Sequence, residues 1–399
     1  MADQLLNTNM VTREILRALR QKLTFLGKVN REYDDSFAVS GAKIGSTVNV
    51  RVPQRGKVRH GRIMDANTPN DRTRPLTITD QDGVDLAYSS ADFALSIDEF
   101  RKRYIDTPVG DLATDIESRV MQRALAQTYS QVGDPTTPLS FAKALVGKKV
   151  MTDNLAPIDG RMLLTNSAGA IQAVNDTKLL FNSQRQVADQ YEDGSMGRAA
   201  GFDWYESTIA PVFTNGAGTG YVTNGVPAEG SSTLPVDTGT GALTAGTVLT
   251  IAGVLKVHAQ TKTSLGELAQ FVVTEDYAGG AGNVSISPAL NAAGPQKNVT
   301  ALPADGAAVT VVGGAGVTYG VNLGFQRDFL TFATVDLPLP PNKDASRMTF
   351  DGLSLRMISD YDTVNDLFLH RVDILWGAAV LRPELGLRIA NDVTELPVV

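Results

Sequence analysis

The chain has 399 residues, 20% of them charged and 43% hydrophobic, with a net charge of -7 at pH 7 and no cysteine. That length buries a sizeable core and points to two or three domains, while the missing cysteines exclude disulfides, thiol nucleophiles, thiolate metal sites and iron–sulfur clusters. The acidic balance argues against general wrapping of nucleic acid, and no apolar run reaches the roughly 18–20 residues of a membrane span.

In chain order, the opening MADQLLNTNM lacks the basic and apolar regions of a signal peptide, so none is expected. An amphipathic helix follows within residues 1–32, with Ile15, Leu16, Leu19, Leu23 and Leu26 on one face, Asn9 or Thr12 as cap and Gly27 as stop. So little chain surrounds it that its stripe must dock on its own body or on a neighbour. Leu16, Leu19 and Leu23 are therefore candidates for a subunit interface. From Ser46 the period changes to two, with Val48, Val50 and Val52 alternating with polar residues. Further strand-like runs stand at Leu76–Thr79 and Val84–Tyr88, and the polar stretch between suggests a long β-hairpin arm. No acid occurs between Asp35 and Asp65, whereas Lys43, Arg51, Arg55, Lys57, Arg59 and Arg62 fall there. A basic arm on an acidic protein suits docking on an acidic surface, most simply another copy of the chain. Phosphate binding and a merely solvated loop are the other readings.

Residues 89–105 connect to TPVGDLATDIESRVMQRALAQTYSQV, residues 107–132, whose spacing predicts one long helix. Val109, Leu112, Ile116 and Val120 form its apolar stripe, Asp111, Asp115 and Gln122 lie opposite, and Asp115 can pair with Arg119. At 1.5 Å per residue it would span roughly 39 Å, enough to cross a domain. Beyond it the pattern predicts a helix, a turn at Pro157–Gly160, a strand at Arg161–Thr165, a helix from about Ser167 to Gln190, and a strand opening at Trp204 and Tyr205. From Gly216 to Val317 the composition shifts: about half of the 37 glycines collect there and charge becomes sparse. Strand candidates at 247–251, 254–258, 270–274, 284–287 and 308–312 indicate a small β barrel or sandwich inserted in an α+β body. The C-terminal runs 353–358, 368–375 and 380–389 read as three strands, with turns at Asp360–Thr363 and Trp376–Gly377.

Catalytic and cofactor motifs are missing. There is no phosphate-binding glycine loop, no H-E-x-x-H and no G-x-S-x-G, and the three histidines, His60, His258 and His370, are far apart in sequence. Asp360, Asp362, Asp366 and Asp373 cluster, but their spacing matches no calcium loop and suits turns. No catalytic, cofactor or metal residue is expected.

Three stretches carry a resemblance: Asn154-Leu-Ala-Pro-Ile-Asp-Gly-Arg161, Gly246-Thr-Val-Leu-Thr-Ile-Ala-Gly-Val254 followed by Gln270-Phe-Val-Val-Thr274, and Arg371-Val-Asp-Ile-Leu-Trp-Gly377 with Leu381-Arg-Pro-Glu384. With the order of parts, the chain resembles the major capsid proteins of tailed bacteriophages, in the branch similar to the phage P22 coat protein. The resemblance implies an α+β, HK97-like fold. Its divisions here would be an N-terminal helical arm (1–32), an extended β-hairpin loop (46–88), a peripheral domain (33–45, 89–150 and 345–399) with the spine helix 107–132, an axial domain (151–215 and 318–344) and an inserted β-barrel domain (216–317). It further implies self-assembly into hexamers and pentamers of an icosahedral shell. The implied partners are a scaffolding protein, a portal protein, encapsidated double-stranded DNA bound without sequence specificity, and decoration proteins, with no membrane. Assembly would occur in the host cytoplasm and the product would be the virion capsid. The rival readings are a non-catalytic surface binding protein that uses the Gly/Thr-rich β module and an α/β enzyme with a cleft beside it.

Overall fold

The computed structural model describes residues 8–31, 47–53, 61–63, 73–89, 105–177, 196–341 and 343–393. Among these residues the α-helices are α1 (Thr8–Lys22), α2 (Asp106–Gln127), α3 (Phe141–Asp153) and α4 (Ser167–Thr177), set among many strands. The chain divides into two compact units, one of Met1–Val50, Thr73–Val120 and Leu330–Leu381, the other of Arg51–Arg72, Met121–Phe329 and Arg382–Val399.

The first unit is organised on the 14-residue strand Leu367–Val380. One edge of it pairs with Leu353–Asp362, which in turn pairs with Asp344–Phe350; the other edge pairs with Asp80–Ser89 along 367–376 and with Leu330–Val335 along 375–380. The expected turn at Trp376–Gly377 is instead the inside of this strand. Gly377 is needed there because a Cβ would strike the Thr77 carbonyl and Ile78. The run Val84–Tyr88, expected to close the hairpin arm, belongs to the same sheet. Only Thr47–Arg51 and Thr73–Thr77 form the separate two-stranded ladder. Helix α1 packs on strands 344–350 and 353–362, burying Val11, Ile15, Leu16, Ala18 and Leu19, with Ser346 bonded to Thr12 at 2.9 Å.

His370 lies inside this sheet, 4% exposed, with Nδ1 2.6 Å from the Ser359 hydroxyl and its ring stacked on Tyr88 at 4.9 Å. Burial pulls its pKa down from 6.5 to about 4, against a smaller opposing pull from Asp344. The native state therefore refuses a proton that the unfolded chain accepts, so stability is lost as pH falls from 6.5 towards 4. The expected loss is up to about 3 kcal/mol. Comparing urea midpoints of the wild type and His370→Gln at pH 7.5 and 5 should show a distinctly smaller drop in the variant; equal drops would mean that His370 does not titrate this way.

The second unit holds a mixed sheet ordered 131–132, 386–391, 318–326, 161–165, 202–206, 198–199, with Val212–Thr214 also paired to Thr318–Gln326. Strands 161–165 and 202–206 run parallel, and α4 lies in the chain between them. Asn166 begins α4 by accepting the Gly169 amide at 2.6 Å, and Ser140 begins α3 by accepting the Lys143 amide at 3.2 Å. The third expected C-terminal strand is split. One strand ends at Val380, Pro383–Leu385 forms a 3-10 turn, and Gly386–Asn391 starts anew in this other sheet. Pro383 has no N–H to donate to a ladder, which accounts for the break.

Within the second unit, residues 216–317 leave and re-enter through neighbouring strands: Thr214 pairs with Thr318, and the Asn215 amide bonds the Val317 carbonyl at 3.0 Å. Their six strands are ordered 309–311, 248–257, 264–273, 282–290, 231–237, 222–223 over one core that includes Leu249, Ile251, Phe271, Val273, Val284 and Ile286. The runs expected as two strands at 247–251 and 254–258 are one bulged strand, Val248–Val257, kinked where Gly253 takes φ 78°. Strand Ser231–Asp237 was hidden in the sequence by Pro235.

Helix α2 also differs from expectation, ending at Gln127 instead of Val132. Thr128 turns its hydroxyl back onto the Ala124 carbonyl at 2.7 Å, and Gln131–Val132 leaves to pair in parallel with Arg388–Ile389.

Candidate assembly interface

Val109, Leu112, Ile116 and Val120 of α2 are all buried, 5% exposed or less, while Asp111, Asp115 and Gln122 are exposed. Arg119 pairs with Asp115 at 2.9 Å and also with Asp82, and its guanidinium lies 5.2 Å from the centre of the Trp376 ring. Sequence reasoning missed Glu117, which counts as a surface acid by composition yet is fully buried. It accepts the Leu26 amide at 2.9 Å and the Thr24 hydroxyl at 3.0 Å, so the turn after α1 is fastened to α2 through one carboxylate. Burial raises its pKa, and these hydrogen bonds hold the rise back.

Leu16, Leu19 and Leu23, candidates for an interface between subunits, are covered by their own chain at 4%, 1% and 8% exposure. The apolar stripe of α1 is satisfied within the first unit. What α1 leaves to solvent is its polar side. In the basic arm, Arg51 and Arg62 are exposed, as is Ile63 at 87%. Arg55, Lys57 and Arg59 lie outside the described residues.

The second unit is held by buried and half-buried cations that the sequence did not mark as such. Arg388, fully buried, donates Nη1 to the Gly246 carbonyl at 2.7 Å and Nη2 to the Leu125 carbonyl in the last turn of α2, with its guanidinium 5.4 Å from the centre of the Phe213 ring. It joins one strand of the mixed sheet, the C-terminus of α2 and the turn of the 216–317 segment that leads into strand Val248–Val257, and the helix dipole favours a cation at that end. Burial lowers its pKa, partly offset by Tyr319. Gln270 adds a second fastening, accepting the Gln131 amide and donating to the Gln131 carbonyl, both at 2.8 Å, as a strand would. Lys143 spends its ammonium on the carbonyls of Asp134, Thr137 and Ala390 at 2.7–2.9 Å, and burial pulls its pKa to about 8. Arg161, the last residue of the stretch Asn154–Arg161, donates to the carbonyls of Pro157 and Ala156 and to the Thr152 hydroxyl. That stretch is thus a fixed corner between α3 and strand Arg161–Thr165. The signal that could have exposed Arg388 is a lone charge inside the apolar run Leu387–Ala390.

The acidic cluster near the C-terminus is used structurally. Asp360 pairs with Lys343 at 2.6 Å, Asp362 accepts the Val364 amide, Asp366 accepts the Tyr361 hydroxyl at 2.7 Å, and Asp373 pairs with Arg356 and Arg371. His258 accepts local amides from Gln260 and Thr261. Among the described residues no group of three His, Asp or Glu side chains is placed to hold a metal ion, and no helix is long and apolar enough to cross a membrane.

The profile of the P22 coat protein (gene protein 5) family matches residues 8–390, nearly the whole chain. The chain belongs to the P22 coat protein family. It has the HK97-like α+β fold and is a major capsid protein of a tailed bacteriophage, with a structural role: it assembles with itself into the shell of the virion. Membership does not favour a surface binding protein. No curated protein matches the chain. Similar solved structures include one of Mycobacterium phage Che8 (12% identity, 92% of this chain and 90% of that one, TM-score 0.45). The capsid of Ralstonia phage GP4 is another (8%, 95% and 93%, TM-score 0.47). The CUS-3 coat protein I-domain is 28% identical over 23% of this chain and 94% of its own length, TM-score 0.19.

Proposed function

We propose that this coat protein forms hexamers and pentamers of an icosahedral shell around double-stranded DNA. The shell is built in the host cytoplasm as a procapsid with a separate scaffolding protein and a portal ring. It has no catalytic task. Residues 46–79 act as the extended loop, strand 80–89 having its place in the sheet of the first unit, and 216–317 as an inserted β domain; the axial domain centres on the mixed sheet of the second unit and the peripheral domain on the spine helix and the sheet of the first. The family match over 8–390 is the observation that carries this reading. The exposed Arg51 and Arg62, at the two sides of the basic arm, support a docking role for that arm.

Reversing charge at Arg55, Lys57 and Arg59 to Glu tests it. This reading keeps the arm clear of the monomer's core, so circular dichroism should be unchanged. Sedimentation of the product co-expressed with its scaffold should show assembled material reduced by an order of magnitude or more. Normal shells from the triple variant would remove the arm from subunit docking.

A further inference from the structure

The solvent side of α1 is strongly basic in a chain whose net charge is -7. Arg13, Arg17 and Arg20 are exposed there, with Lys22 at its end and Lys28 in the turn beyond. At 3.6 residues per turn the three arginines fall within about 60° of arc, at successive steps of about 6 and 4.5 Å along the axis. Among the described residues, Glu14 lies 3.6 Å from Arg17, and Asp351 lies 2.8 Å from Arg20 and 3.1 Å from Arg31. Arg20 is also held 4.9 Å from the centre of the half-exposed Phe350 ring. The opposite, apolar side of the helix is already buried on its own sheet, so the array is presented on a fixed support.

We infer that this face of α1 binds the phosphate backbone of double-stranded DNA without reading its sequence, an inference that rests on the proposed DNA-filled shell. Duplex DNA carries one charge per about 1.7 Å of axis, so the roughly 10 Å run from Arg13 to Arg20 spans several phosphates. Guanidinium groups present paired N–H donors that match phosphate oxygens, and a row of arginines suits such a target better than scattered lysines do. Holding the row on a docked helix removes most of the ordering cost of binding. A carboxylate-rich surface of a second copy is the competing occupant.

The full-length unassembled chain and a 30-base-pair duplex of mixed sequence provide the test. Fluorescence anisotropy is measured across roughly 50–200 mM salt, the range over which phosphate contacts are read most clearly. The double variant Arg13→Gln, Arg17→Gln should lower the slope of log K against log salt by about 2, near 0.9 per phosphate contact, with circular dichroism unchanged. Arg13→Lys with Arg17→Lys should restore most of it. Should the double variant misfold, Arg13→Gln alone should still lower the slope by about 1. An unchanged slope overturns the inference. A variant that keeps its DNA slope but no longer forms shells overturns it in favour of a second copy on this face. Shell formation by the wild type, scored in parallel, judges the capsid reading separately.

Discussion

Ile116→Asp is expected to yield no soluble, folded chain. Ile116 is 1% exposed and sits one turn from Val120, which is fully buried, on the stripe of α2 that also holds Val109 and Leu112. A carboxylate there must either stay charged in an apolar setting or bind a proton at neutral pH, and either costs several kcal/mol. Deleting the packed side chain adds about 2–5 kcal/mol. Their sum rivals the 5–15 kcal/mol that stabilises a typical domain, so misfolding precedes any defect confined to assembly. Val120→Asp should behave alike, whereas Asp111→Asn on the exposed side should be neutral. Soluble yield and far-ultraviolet circular dichroism read the difference. A folded monomer from either core variant would show that the stripe does not face the interior.

Arg388→Met should destabilise the second unit by about 2 kcal/mol, the balance of two opposed terms. Methionine keeps much of the length and removes a buried cation that has no carboxylate partner among the described residues, which relieves a desolvation cost. It also strands the Gly246 carbonyl in a dry site, a loss of about 1–3 kcal/mol, leaves the Leu125 carbonyl with the Thr128 amide alone, and takes a cation from the helix terminus and from the Phe213 face. Arg388→Lys should not rescue it, because a single ammonium cannot reproduce the guanidinium's forked reach to both carbonyls while facing the ring. Urea unfolding measures the effect. A change below about 1 kcal/mol would mean that the cost of burying the guanidinium cancels its bonds.

Much of the architecture could be read from periodicity. Arg161–Thr165 stands where its apolar run placed it, and the glycine-rich segment after Asn215 is the separate six-stranded sheet. Local pattern failed where distant partners decide the outcome. Gly377 reads as a turn until Ile78 and the Thr77 carbonyl are beside it. Gln131 continues a helical pattern until strand Gly386–Asn391 and Gln270 claim its backbone. The α1 leucines looked available to a neighbour because the sheet that covers them comes more than three hundred residues later. Glu117 and Arg388 were illegible for the same reason: a charge reads as surface until the buried groups that satisfy it are known.

Electron microscopy of the wild-type chain co-expressed with its scaffolding protein tests the capsid assignment most directly. Closed icosahedral shells, with pentamers at the vertices and hexamers between them, are the predicted product. A persistent, well-folded monomer that forms no shells under those conditions would contradict it.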